Sequence, residues 1–94
     1  MKRFNWDNEK NKKLIKERGI SFEEIVFCIE KGYILDKIEH PNQEKYEGQK
    51  MFIIQVDKYA YLVPFVESGN EVFLKTIIPS RKATKLYLNP RPLR

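Results

Sequence analysis

The residues of this chain whose types could do chemistry are cations, tyrosines and one histidine, and the stretch the chain is organised around, Thr76-Ile77-Ile78-Pro79-Ser80-Arg81-Lys82-Ala83, holds two adjacent cations. There an apolar strand hands over, through a serine, to two adjacent cations. A Ser-capped basic turn at a sheet edge can fix positive charge where a phosphate or carboxylate docks. The same residues also read as an ordinary helix cap followed by solvated cations, and the sequence leaves both readings open. His40 is the only histidine and a candidate general base, although it precedes a proline in a polar loop, where a histidine is often incidental.

Several kinds of enzyme lack their minimum parts. There is no Gly-rich phosphate loop, no HExxH helix and no cysteine cluster, and Gly48 and Gly69 are isolated turn glycines. A serine triad would have no nucleophile elbow. One His and a distant Cys28 do not make a zinc site, and the strand and turn acids Asp36, Glu39, Asp57, Glu67 and Glu71 are scattered rather than clustered. No metal or cofactor is expected. What remains suits metal-free RNA cleavage, in which the ribose 2′-hydroxyl attacks the neighbouring phosphate. The substrate carries its own nucleophile, so the protein need only orient the phosphate, neutralise developing charge and move protons. A non-catalytic RNA-binding or protein-binding module would use the same residue types.

The elements that must position these groups belong to one domain spanning residues 1–94, a length that supports one modest core. With 41% hydrophobic and 13% aromatic residues the chain is globular despite its 33% charged fraction. Eighteen Lys and Arg against thirteen Asp and Glu give a formal charge of +5, concentrated in the first helix and the C-terminus, which favours an acidic or polyanionic partner. A lone cysteine forms no internal disulfide, and no apolar run approaches the roughly 18 residues of a membrane span. Trp6-Asp7-Asn8-Glu9-Lys10 follows Lys2 and Arg3 where a signal peptide needs apolar residues, so a cytoplasmic location is expected.

Phe4-Asn5-Trp6 alternates apolar and polar residues and can either add a short strand or pack as an aromatic arm. Asp7 predicts a helix N-cap for residues 8–18, with Leu14 and Ile15 as its apolar contacts and Gly19 as its stop. Ser21 and Glu24 form a capping box flanked by Ile20 and Ile25, opening a helix whose face carries Phe22, Ile25, Val26 and Ile29 and which Gly32 closes. Phe27 and Cys28 widen that face; Cys28 could be a nucleophile but reads better as a small buried hydrophobe, since nothing marks a nearby His or cation as its activator. Residues 33–38 read as a strand with Tyr33 and Leu35 opposite Ile34, Asp36 and Ile38, and a polar loop from His40 to Gly48 follows. Residues 50–56, 60–67 and 71–78 predict an antiparallel meander, apolar on both faces in places, with Pro64 demanding a bulge or an edge. A short helix over 81–88 ends at Pro90 and Pro92, and residues 89–94 read as an extended basic tail.

Three landmarks in this order, Phe4-x-Trp6-Asp7 with Lys10-Asn11, Gly19-Ile20-Ser21-Phe22-Glu23-Glu24, and Ile78-Pro79-Ser80-Arg81-Lys82-Ala83, span almost the whole chain. On these residues and the meander between them, the sequence resembles the BrnT family of toxins from bacterial type II toxin–antitoxin systems. The resemblance implies a fold like that of the RelE ribonuclease toxins, RNA cleavage that inhibits translation, and neutralisation by an antitoxin, typically of ribbon-helix-helix type, encoded in an adjacent gene. It implies contact with operator DNA only through the antitoxin complex, and no membrane partner. The chain departs from the family pattern at Arg18, where His is common, at Lys50, where Arg is usual, and at Pro79-Ser80, where Ser-Ala is usual. The Glu and later Tyr often carried by the family's C-terminal helix give way to Leu86-Tyr87-Leu88-Asn89-Pro90. Replacing Arg by Lys keeps the charge and loses a bidentate phosphate fork.

The expectation is therefore an α+β domain, with two N-terminal helices packed on a mainly antiparallel sheet of about four strands and a short C-terminal helix. Its expected activity is a metal-independent endoribonuclease acting on RNA. Arg81 would stabilise the phosphorane-like charge, Lys50 and Lys82 would position phosphates, and His40 or a tyrosine would transfer a proton or hold a base. Lys75, Tyr46, Tyr61 and Tyr87 are the candidate RNA-binding residues. The alternative is a non-catalytic antitoxin-binding or nucleic-acid-binding module.

Overall fold

Arg3–Asn5 forms a strand, β1, and Asp7 then turns the chain into helix α1, Asn8–Arg18, its carboxylate accepting the Glu9 amide at 2.9 Å. The computed structural model describes residues 2–88; the expected tail at 89–94, with Pro90 and Pro92, lies outside the described residues. Gly19 ends α1 in the left-handed conformation (φ 68°), its amide bonded to the Ile15 carbonyl at 3.0 Å, a backbone shape costly for a residue with a Cβ. Only Asn11 and Leu14 of α1 are buried. Ile15, expected inside, is 49% exposed, so this helix contributes one apolar side chain and one amide to the core.

Helix α2, Phe22–Glu30, starts where the capping box predicts, with Ser21 Oγ accepting the Glu24 amide at 3.1 Å. The carboxylate's return bond is not among the hydrogen bonds of the described residues. Phe22, Ile25 and Cys28 are buried, each large apolar side chain fully removed from water contributing about 1.5–3 kcal/mol, whereas Phe27, expected to widen this face, is 54% exposed. Burial pushes the Cys28 thiol up, away from the thiolate a nucleophile needs.

The sheet corrects the expected strand count and helix placement. It has six strands rather than about four: β2 Ile34–Glu39, β3 Lys50–Val56, β4 Tyr59–Ser68, β5 Glu71–Leu74 and β6 Ile78–Pro79 join β1. The order is β1-β5-β4-β3-β2, with β6 also on β4, and the β1–β5 pair is parallel, so the sheet is mixed. Both helices α1 and α2 cover one face, over Phe52, Ile54, Val63, Phe65, Val72 and Leu74. The C-terminal helix, α3 Arg81–Ala83 running into a π-helical turn Thr84–Leu88, covers the other, over Ile53, Ala60 and Leu62.

Two local breaks have clear causes. Ile34 pairs with Ile54 and Asp36 with Ile53, so Leu35 is an extra, bulged residue; Leu35 and Ile38 therefore reach the same cluster under the C-terminal helix, where simple alternation had placed them on opposite faces. The third meander strand is not continuous. β5 pairs with β4 at residues 65–68 and β6 pairs with it at 61–62, leaving Pro64 in the gap. The Pro64 carbonyl accepts the Lys75 amide at 2.7 Å, so its nitrogen faces that same gap, where no ladder bond is lost.

Candidate functional site

The turn from β6 into α3 is held from three directions. Ser80 donates its amide to the Ala60 carbonyl at 3.0 Å, and its hydroxyl accepts the Ala83 amide at 3.0 Å, which is the predicted cap. Thr84 Oγ1 accepts the Ala60 amide and donates to the Ser80 carbonyl, both at 2.8 Å. Behind the turn, Arg18 Nη1 donates to the Ile77 carbonyl at 2.6 Å, tying the end of α1 to the segment ahead of β6. Arg81 and Lys82 stand exposed on this braced turn, and neither enters a salt bridge among the described residues.

Between the C-terminal helix and the sheet runs an open groove of about 260 Å³, walled by Ile38, Met51, Ile53, Leu62 and Leu86 and carrying Lys82 and Tyr87. Tyr87 Oη donates to Asp36 Oδ2 at 2.7 Å. That bond holds the Asp36 carboxyl below the usual range and the Tyr87 phenol above its own, so the pair is poorly suited to accept or release protons near neutrality.

His40 lies next to Pro41, which lines the same groove. Its ring stacks on Tyr46 with centroids 4.2 Å apart, and Lys45 Nζ sits 5.4 Å from the far ring. Gln43 organises this loop by donating to the His40 and Gln49 carbonyls and accepting the Gly48 amide. His40 Nδ1 accepts the Asn42 amide at 3.1 Å. With that nitrogen an acceptor, the neutral imidazole carries its proton on Nε2, and it is a donor rather than a ready base.

The remaining candidates lie elsewhere. Lys50 shares the α1–α2 face with Phe52, and its Nζ is 3.9 Å from Glu67 Oε1. Glu67 also pairs with Lys2, and that bond, more than the charges of Lys2, Lys37 and Lys50, lowers its carboxyl. Tyr61 packs against the helix-side core, edge-on to Tyr59 at 5.7 Å, and burial pushes its phenol up. Lys75 follows β5, with Nζ 5.7 Å from the Phe73 ring.

The expected set is thus divided. Lys82 and Tyr87 share a groove, His40 and Tyr46 stack beside Pro41, Arg81 stands on the adjoining turn, and Lys50 and Tyr61 lie on the opposite face. Three contacts of the candidate residues and their supports have no pairing signal in the sequence: Asp36 to Tyr87, Glu67 to Lys50, and Arg18 to the Ile77 carbonyl. Each joins residues far apart in sequence, and only the strand alternation of Asp36 with Ile38 gave a local sign. Among the described residues no three His, Cys, Asp or Glu side chains cluster as metal ligands, and no helix is long and apolar enough to cross a membrane. Comparison with known protein families, curated proteins and solved structures finds no match for this chain.

Proposed function

We propose that this protein is the toxin of a type II toxin–antitoxin pair and a metal-independent endoribonuclease, neutralised by an antitoxin encoded beside it. The observation that carries this reading is the braced β6–α3 turn, which presents Arg81 and Lys82, free of salt bridges among the described residues, beside a groove that also holds Tyr87. The cations offer a phosphate fixed positive charge, and Arg81 can take two phosphate oxygens at once. The arrangement of two helices on one sheet face with a basic strand end is also what the resemblance to BrnT and the RelE-like fold implies.

In the reaction, the 2′-hydroxyl gives its proton to solvent water as its oxygen bonds to phosphorus, the 5′-oxygen leaves and takes up a proton, and a 2′,3′-cyclic phosphate results. Arg81 and Lys82 stabilise the charge that builds on the phosphoryl oxygens. The Nε2–H of His40 can offer the departing 5′-oxygen a hydrogen bond, and water supplies the proton. A second reading, a non-catalytic module that binds antitoxin or nucleic acid, draws support from two observations: His40 Nδ1 is already taken, and Lys50 is paired with Glu67. Cleavage of labelled single-stranded RNA in excess EDTA separates the two. The ribonuclease reading expects cleavage that survives chelation and disappears in a folded Arg81→Ala variant. Binding without cleavage by wild-type protein supports the module, and equal cleavage by both proteins removes Arg81 from its role.

A further inference from the structure

The C-terminal helix covers its face of the sheet only in part, lying over residues of β4, β3 and β2. Phe4 and Val72, partners in the β1–β5 ladder, point into the opposite, helix-side core, so Arg3, Asn5, Glu71 and Phe73 point to the face that α3 shares. There Arg3, Asn5, Phe73 and Lys75 are all exposed. Phe73 presents 37% of its surface, an aromatic ring on an open sheet face with Arg3 on the neighbouring strand and Lys75 two residues along. The one acid among them, Glu71, accepts a hydrogen bond from Asn5 Nδ2 at 3.2 Å, and Arg3 forms no salt bridge among the described residues.

We propose that this open half-face is a stacking platform for single-stranded RNA, with one base on the Phe73 ring and its flanking phosphates on Arg3 and Lys75. The inference rests on the ribonuclease reading and names a binding subsite for the same substrate. An aromatic ring offers sequence-tolerant stacking to an unpaired base, and cations on either side track the backbone. Phe73 pairs with Val66 of β4, and Met51 of β3 lines the groove that holds Lys82, so platform and groove lie two strand spacings apart, about 10 Å. A single strand lying across the strands reaches both. A duplex, its bases already stacked, does not offer the ring a face. Lys75 Nζ now sits over the ring and would move to the adjoining phosphate as the base arrives.

The test uses fluorescein-labelled 2′-O-methyl RNA, single-stranded and duplex, which lacks the nucleophile and so reports binding without turnover. Anisotropy is read at several salt concentrations. Phe73→Ala and Phe73→Leu are both expected to bind the single strand roughly tenfold more weakly, Leu keeping the apolar packing but not the ring. Phe73→Tyr is expected to bind as wild type, and Arg3→Gln with Lys75→Gln to lower the salt dependence. Binding that is indifferent to Phe73 overturns the platform and leaves the RNA reading standing; absence of binding by wild-type protein overturns both. Sedimentation of the free proteins covers the remaining occupant: a dimer that Phe73→Ala dissociates, with RNA affinity unchanged, makes this face a contact between copies and overturns the inference.

Discussion

Tyr87 Oη donates a 2.7 Å hydrogen bond to Asp36 Oδ2 across 51 positions of sequence, fastening the last helical turn to edge strand β2. Removing it with Tyr87→Phe keeps the ring in the groove and is expected to lower the melting temperature slightly. The pH dependence carries the sign. Asp36 is depressed, so its contribution is present above the ordinary aspartate range and fades as pH falls through its lowered value. Tyr87 is raised, so its contribution is present below the ordinary tyrosine range and fades as pH rises through its higher value. Melting curves of the two proteins should therefore separate across the neutral range and converge at both extremes. A constant gap would assign the effect to packing.

Asn11 is the buried polar residue of α1, and both ends of its amide are used. Oδ1 accepts the Phe22 amide and Nδ2 donates to Glu23 Oε1, each at 2.8 Å. Asn11→Ala leaves the Phe22 amide unpartnered in the core and is expected to cost about 1–3 kcal/mol in urea denaturation. The Asn11 bond is the main reason the Glu23 carboxyl sits below its usual range, so its titration should move upward in the variant. The bond to Glu23 contributes above the ordinary glutamate range and is lost as pH falls through the lowered value. Part of the stability gap should therefore close in acid, and the part due to the Phe22 amide should remain.

What the sequence made legible was local: the Asp7 and Ser21 caps, the Gly19 stop, the two hairpins and the Ser80 cap all follow from neighbouring residues. The alternation of β3 and β4 also announced a sheet with apolar residues on both faces. Less legible were the features set by distant partners. Phe4-Asn5-Trp6 shows at most a short strand, and only its parallel pairing with β5 makes it an edge of the sheet. The Leu35 bulge spoils the alternation of β2 without a Gly or Pro to mark it. Pro64 reads as a bulge or an edge position, yet β4 runs through it in unbroken register with β3, and the break falls instead in the neighbouring strand, between β5 and β6. In the site, residue types gave the cations, whereas the faces they occupy depend on register, which is why Lys50 and Lys82 read as one set and stand apart.

Arg18 holds the Ile77 carbonyl at 2.6 Å and so braces the segment that leads to Arg81. Arg18→Ala is expected to cost about 1 kcal/mol of stability. Under the ribonuclease reading it should also lower kcat more than it raises KM, because a loosened turn places Arg81 less well in the transition state. Arg18→Lys, which keeps a donor and the charge, should recover part of kcat. Equal losses in both variants, confined to KM, would make Arg18 an RNA contact in its own right.

Glu67 is the electrostatic counterweight of the helix-side cations, paired with Lys2 and 3.9 Å from Lys50. These pairs are partly exposed, so Glu67→Gln should change stability by less than about 1 kcal/mol. Its effect on RNA should be larger: with Lys2 and Lys50 released, affinity is expected to rise roughly threefold at low salt, with a steeper salt dependence and no gain at high salt. The carboxyl sits below its usual range, so mild acid will not reproduce the variant in the wild-type protein. The double variant with Lys50→Gln decides what Lys50 does. If Lys50 positions phosphate once freed, adding Lys50→Gln should abolish most of the gain; if the gain survives, the effect is that of overall charge and Lys50 has no part in the site.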